Sequence, residues 1–267
     1  MGRLAILSAK GGLPVALAAA HPDALIFTLQ GVDHDHSCAT IEHRFDRLGD
    51  MITDMKTRGV TEVVFAGAMI RPALDPAQFD ELMQQIAPEL MKAFQSGDDA
   101  LLRFIITLFE DRGIAVRGAH DLLPELTANP GLIAGPEPDV AQLDDAKKAA
   151  EILRTLAPMD VGQGAVVAAG LCLGIETLQG TDALLRFVAE TPASLRRGKG
   201  VLVKAPKAGQ DLRVDMPAIG TQTIDGLAAA GLAGIVIAAG RVLLVDRPAI
   251  EARAAACGVF VLAQENL

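Results

Sequence analysis

Along the first half of the chain, apolar runs of strand length alternate with amphipathic stretches of helix length. Leu4–Leu7 reads as a strand, Leu13–Ala20 as a helix and Ala24–Leu29 as a second strand. Arg44–Arg58 sets Leu48, Ile52 and Met55 at helical spacing, and Gly59 stops it. Glu62–Ala66 reads as a buried strand. Pro72 and Pro76 then mark a turn, and Gln78–Phe94 reads as a helix that Pro88 kinks or splits. A helix over Asp99–Arg112 and a strand over Ile114–Arg117 close the series. Strand and helix in alternation predict an α/β domain with a largely parallel sheet, Rossmann-like in its rhythm.

Thr127–Val140 breaks the pattern, with three prolines and two glycines, and is the candidate linker. Beyond it Ala141–Leu156 is helical, with Leu143, Ala146, Ala150 and Leu153 on one face. The rest is richer in strands: Gly164–Ala169, Leu171–Ile175, Gly200–Lys204, Gly234–Ile237, Val242–Val245 and Val259–Leu262. Helices fill Asp182–Ala189, Thr223–Ala230 and Arg247–Ala256. The fold expected is α/β in two domains: a parallel one over 1–133 and a mixed α/β one, carrying the chemistry, over 134–267. A short echo spans the linker. Gly97–Phe104 and Gly180–Phe187 read G-D-D-A-L-L-R-F and G-T-D-A-L-L-R-F, and both are built as helix starts.

Composition narrows the classes of function. Of 267 residues, 51% are apolar, enough for a sizeable core made mostly of aliphatic side chains, since Trp and Tyr are absent. That absence and a net charge of −9 argue against nucleic-acid binding by stacking or by a general basic surface. Cys38, Cys172 and Cys257 form no paired spacing, which fits a reducing cytoplasm. The apolar run before Lys10 is too short for a signal peptide. The longest uncharged stretches, Val161–Ile175 and Gly226–Gly240, are too short and glycine-rich to span a bilayer.

The densest chemistry lies in Lys204–Gly220. These seventeen residues place Lys204, Lys207 and Arg213 beside Asp211 and Asp215, broken by two prolines and two glycines, with no helical or strand period. Cations of this kind suit phosphate oxygens, Arg in a fork. The carboxylates suit a divalent cation or a water that must lose a proton. The plain alternative is a solvated loop of local ion pairs.

Other candidates follow strand ends. Gly11 and Gly12 lie between the first strand and a helix, which suits either a phosphate contact or a tight βα turn. No G-x-G-x-x-G is present, so the dinucleotide signal is weak. Arg71 follows the strand Glu62–Ala66, where open α/β sheets bind ligands, or it pairs with a nearby acid. Gln163 precedes the strand from Gly164. Glu176 and Asp182 flank the turn after Ile175 and suit a cation, with capping by Thr181 or Asp182 as the competing account. His34, His36, Cys38 and His43 offer metal-ligand atoms but match no zinc spacing, and a solvated loop is the simpler reading. Leu101, Leu102, Ile105, Ile106, Leu108 and Phe109 suit ordinary core better than a lipid groove.

Taken in order, several pieces resemble the LpxI family of UDP-2,3-diacylglucosamine pyrophosphatases. They are G-G-L-P, F-A-G-A-M-I-R-P, G-D-D-A-L-L-R, G-A-H-D-L-L, D-V-G-Q-G-A-V-V, E-T-L-Q-G-T-D-A-L-L-R, K-A-P-K and R-V-D-M-P-A-I-G. The resemblance covers nearly the whole chain and is most specific from Asp160 to Asp246. Departures are the turn Ala9-Lys10-Gly11-Gly12, where the family has a longer glycine run, and the Thr-Leu-Gln after Glu176. The resemblance implies magnesium-dependent hydrolysis of the substrate pyrophosphate to UMP and 2,3-diacylglucosamine 1-phosphate, with water attacking the β-phosphorus. Beside the resemblance, the residues themselves point to Asp215, after Arg213 and before a Pro-containing turn, as catalytic carboxylate, and to Asp215, Asp182 and Glu176 as metal ligands. Gly11, Gly12, Arg71, Gln163, Thr181, Lys204, Lys207 and Arg213 would bind substrate. The resemblance further implies a cytoplasmic enzyme of a Gram-negative bacterium, a homodimer with exchanged parts, in transient contact with the inner membrane. The rival readings from the residues alone are a non-catalytic nucleotide-sugar or lipid binding module and a nucleotide-cofactor oxidoreductase.

Overall fold

The computed structural model describes residues 2–68, 74–192 and 194–267. The chain divides into two compact units. The first is Met1–Pro124 together with Asp211–Asp215, and the second is Glu125–Gln210 with Met216–Leu267.

The first unit holds strands β1 (Arg3–Ser8), β2 (Leu25–Leu29), β3 (Ile41–His43), β4 (Val60–Ala66) and β5 (Ala115–Arg117). Its helices are α1 (Gly12–Ala20), α2 (Leu48–Thr57), α3 (Glu81–Gln95), α4 (Asp98–Glu110) and the short α5 (Ala119–Leu122). The sheet order is β3-β2-β1-β4-β5, and every pairing is parallel. The strand order therefore switches from one side of β1 to the other between β3 and β4, and the place between β1 and β4 is where open parallel sheets offer a crevice. The period of two decides the layers. Ala5, Leu7, Phe27, Leu29, Val63 and Val116 join one core with Met51, Ile52 and Met55 of α2, Met83 and Leu90 of α3, and Ile106 and Phe109 of α4. Ile6 and Val64 alternate with them and are also fully buried. Leu101 and Ile105 pack against this core, so the apolar face of α4 is spent on folding. Pro88 does not split α3, which runs unbroken from Glu81 to Gln95.

The second unit holds β6 (Gly131–Ala134), α6 (Val140–Leu156), β7 (Gly164–Ala168), β8 (Leu171–Ile175), α7 (Gly180–Ala189), β9 (Val201–Lys204), β10 (Ala218–Ile219), α8 (Thr221–Ala229), β11 (Gly234–Ala238), β12 (Leu243–Leu244), α9 (Arg247–Cys257) and β13 (Phe260–Gln264). Six strands form a mixed sheet in the order β6-β13-β11-β9-β7-β8, while β10 and β12 pair separately. The centre, β9-β11-β13, is parallel, and the flanking pairs are antiparallel. Val166, Leu202, Ile235, Ile237 and Val261 face a core with Leu184, Leu185 and Val188 of α7, Ile224 and Leu227 of α8 and Ile250 of α9. Val167, Val201, Val203, Val236 and Phe260 face the other way, against Ala146, Ala149, Ala150 and Leu153 of α6. The Pro/Gly-rich stretch 127–140 contains β6, which pairs with β13.

Both units are thus α/β, the first with a parallel sheet and the second with a mixed one. No helix among the described residues is long and apolar enough to cross a membrane.

Candidate active site

In the second unit, three candidates meet at the end of the sheet where β9 finishes. Lys204 is the last residue of β9 and pairs in register with Gly164, the first of β7. Its ammonium group is buried and donates to the Thr181 hydroxyl. It also lies 3.5 Å from Glu176 Oε2. The Thr181 hydroxyl donates in turn to Glu176 Oε2 at 3.0 Å. Glu176 follows β8 directly, and its backbone N–H is fixed by the Gly164 carbonyl at 2.7 Å. A buried ammonium needs an anion close by, and the strand ends supply one. The glycines around it are there for space. A Cβ at Gly164 would stand 2.4 Å from Glu176 Oε2, and one at Gly162 would stand 2.0 Å from the Glu176 carbonyl oxygen. Gln163 sits between them, its carbonyl accepting from Ala205 N–H at 3.0 Å.

Lys207 forms an ion pair with Asp160, a residue held in the left-handed backbone region at φ 54°. The turn Lys207–Gln210 closes on itself, with Lys207 N–H donating to Gln210 Oε1 at 2.9 Å. Asp182 stands exposed in the first turn of α7, one residue beyond Thr181.

The rest of the charged loop belongs to the first unit. Val214 packs against that unit's core. Arg213 Nη1 donates to Glu110 Oε1 at 2.7 Å, and Nη2 and Nε reach the Asp211 carboxylate at 2.7 and 3.0 Å. The guanidinium hydrogen bond holds the Asp211 carboxyl below the usual carboxylate range against a smaller opposing effect of burial. Arg213 itself is raised by the same contact. Asp215 is half-buried just past this turn, its N–H donating to the Asp211 carbonyl at 3.2 Å.

Also in the first unit, Gly11 caps α1 at φ 127°. Its N–H donates to Asp35 Oδ2 at 2.8 Å. Beside it, Ser8 Oγ and His36 Nε2 are hydrogen-bonded at 2.8 Å. Burial, and then the neighbouring His34, lower the His36 pKa, while Asp35 opposes them. Gly12 opens α1 and is exposed. Gly67, at φ 99°, lets the loop after β4 approach so closely that a Cβ there would stand 2.7 Å from Ala9 backbone atoms. Arg71 lies outside the described residues.

The histidine-rich segment does not gather into a metal site. His43 ends β3, stacks on Phe27 and pairs with Asp54 at 3.1 Å, whereas His36 serves Ser8 and Cys38 is exposed. Among the described residues no three His, Cys, Asp or Glu side chains converge to hold a metal. Sequence reasoning passed over Glu110, and it met Asp35 and Asp160 only as members of the histidine-rich segment and of the D-V-G-Q-G stretch, without their partners. Each meets its partner far along the chain, and no local pattern marks the pairing.

Two family models match the chain. One is described as the LpxI N-terminal domain, over residues 3–126, and the other as the LpxI C-terminal domain, over residues 129–262. The chain is also 43% identical over 218 residues to the UDP-2,3-diacylglucosamine pyrophosphatase LpxI of Caulobacter vibrioides, covering 80% of this chain and 78% of that protein. The chain belongs to the LpxI family. The LpxI N-terminal match and the first unit up to Pro124 nearly coincide. The family's two halves are therefore each represented here by a sheet with its own core. The Glu176–Thr181–Lys204 group lies within the C-terminal match, as do Arg213 and Asp215.

Proposed function

We propose that this chain is a hydrolase that cleaves the pyrophosphate of UDP-2,3-diacylglucosamine to UMP and 2,3-diacylglucosamine 1-phosphate, a step of lipid A synthesis. The observation that carries the reading is 43% identity over 218 residues to a pyrophosphatase of that name. The chemistry of the residues agrees with it. A pyrophosphate is highly charged, and attack by water raises the charge on its non-bridging oxygens further, so fixed cations lower the barrier. Lys204 and Lys207 are the cations assigned here. Asp215 accepts the proton of the attacking water, whose oxygen bonds to the β-phosphorus while the bond from that phosphorus to the bridging oxygen breaks. The bridging oxygen leaves on UMP, and the water oxygen stays on the lipid phosphate.

Magnesium is part of this reading. Glu176 is occupied by Lys204 and Thr181, and Asp182 is exposed. Magnesium commonly takes one or two carboxylates and completes its shell with water and substrate phosphates. The half-buried Asp215 fits that demand without a cage of protein ligands, and it is the carboxylate we assign to it. When bound, the ion neutralises phosphate charge as the bond breaks. Gln163, Thr181 and the turn Gly11-Gly12 are assigned to holding the substrate's polar parts. A homodimer and passing contact with a membrane surface complete the proposal, because the substrate carries two acyl chains.

The test is turnover of UDP-2,3-diacylglucosamine by the pure protein in ¹⁸O-labelled water, with magnesium and with chelator. The expected result is metal-dependent release of UMP, with the label in the lipid phosphate. Label in UMP moves the attack to the α-phosphorus. Tight substrate binding with no turnover under any divalent cation would replace the enzyme by a binding module.

A further inference from the structure

We propose that Glu110 is a positioning residue for this reaction. Acting through Arg213, it fixes the Asp211–Asp215 turn to the first unit and so sets the Asp215 carboxylate. The proposal rests on the role given to Asp215 above.

The turn has no strand or helix of its own. Asp211 makes it rigid internally. Its carbonyl accepts from Val214 and Asp215 N–H at 3.3 and 3.2 Å, and its carboxylate takes Arg213 N–H at 3.1 Å and the guanidinium besides. None of these bonds attaches the turn to anything else. Its attachments include Val214, a small and only partly buried apolar contact, the charge of Arg103 of α4 acting on Asp211, and Arg213 Nη1 on Glu110 Oε1. The apolar contact is non-directional. The bond to Glu110 is directional, and its base is firm, because Glu110 ends a helix whose Ile106, Leu108 and Phe109 are buried in the first core.

The placement of Glu110 breaks a local rule. A carboxylate in the last turn of a helix faces the negative end of the helix dipole. Nothing in α4 itself rewards it there, and the partner that does is 103 residues away. The pair is also a poor source of stability, since the two side chains are 35% and 41% exposed. A charge set against its own helix, with little return in stability, fits a role in holding geometry. Small errors in the placement of a catalytic group are costly in rate, about a hundredfold for an ångström.

The test compares steady-state kinetics and thermal unfolding of Asp215→Asn, Glu110→Gln, Arg213→Gln, Arg213→Lys and the double variant Glu110→Gln/Arg213→Gln. Asp215→Asn should abolish turnover. Glu110→Gln should lower kcat about tenfold, leave KM within about twofold and leave the unfolding midpoint where it was. The double variant should be no slower than Arg213→Gln alone, because the two residues act in series. Arg213→Lys should be as slow as Arg213→Gln, since an ammonium cannot fork between two carboxylates. Full kcat in Glu110→Gln beside a dead Asp215→Asn would overturn the proposal and leave the enzyme reading intact. So would losses that multiply in the double variant, or full activity in Arg213→Lys. An active Asp215→Asn would instead remove the reading beneath it.

Discussion

Lys204 is 5% exposed, and in that setting its ammonium has Glu176 and Thr181 as partners. Removing one member of a buried pair strands the other charge. Lys204→Met is therefore expected to cost about 3–5 kcal/mol of stability, read as a lower urea midpoint with an unchanged slope. Replacing both members, in Lys204→Met/Glu176→Gln, should recover much of that loss while leaving the enzyme inactive. An unchanged midpoint for the single variant would mean the pair is not closed off from water. Asp211 supplies a second residue-scale prediction, with a definite sign. Its carboxyl is held low in the folded state by Arg213, so on acidification the unfolded chain takes up the proton first. The stability advantage of the wild type over Asp211→Asn should be fully present above the ordinary carboxylate pKa of about 4. It should close as pH falls further, through the depressed folded value. Urea unfolding of both proteins from pH 6 downward measures it, and a gap that widened in acid would refute it.

Elements are held in register by side chains that neighbouring elements lend. The hairpin from β7 to β8 turns at Ala169 and Gly170, with Ala169 in the left-handed region at φ 47°. Asp145 of α6, buried, accepts from both turn N–H groups, at 2.9 and 2.7 Å. Asp145→Ala leaves both donors without that partner and should cost about 1–3 kcal/mol, with faster hydrogen exchange confined first to 169–170. This device shows why some of the fold was legible in the sequence and some was not. Strands β7 and β11 are continuous apolar runs, β1 and β4 hold such runs at Leu4–Leu7 and Val63–Ala66, and α2 carries a clear helical stripe. Their burial is written locally. The segment I-E-H of β3 is three residues beside a charged loop, β6 is embedded among prolines and glycines, and β10 is two residues inside Lys204–Gly220. Each exists because a distant strand offers it a hydrogen-bonding edge, which no local period encodes. The candidate site divides in the same way. Lys204, Thr181 and Glu176 stood out by residue type next to strand ends. That they share one buried point, 28 residues apart for the ion pair, is a product of the β7–β8–β9 pairing. Asp160 and Glu110 reach their cations across 47 and 103 residues, pairings for which the local sequence carries no signal.

At the scale of the whole molecule, the chain passes between its units three times, at Pro124–Glu125, Gln210–Asp211 and Asp215–Met216. The charged loop is thereby shared: Lys204 and Lys207 belong with the second core, and Asp211, Arg213 and Asp215 with the first. Five residues far along the sequence should then report on the stability of the first unit rather than of their own neighbours in the chain. Matched core substitutions separate the two. Ile52 in the first core and Ile235 in the second are both buried, and trimming either to Val should cost about 1 kcal/mol. The amides of Val214 and Asp215 are held by the Asp211 carbonyl and exchange only when the turn opens. If that opening follows the first core, Ile52→Val should speed their exchange about fivefold, the factor that 1 kcal/mol implies, and Ile235→Val should leave it unchanged. Equal acceleration by both would show that the two cores open together. Acceleration by Ile235→Val alone would show that the turn follows the strand it comes from, and would return Asp215 to the second unit.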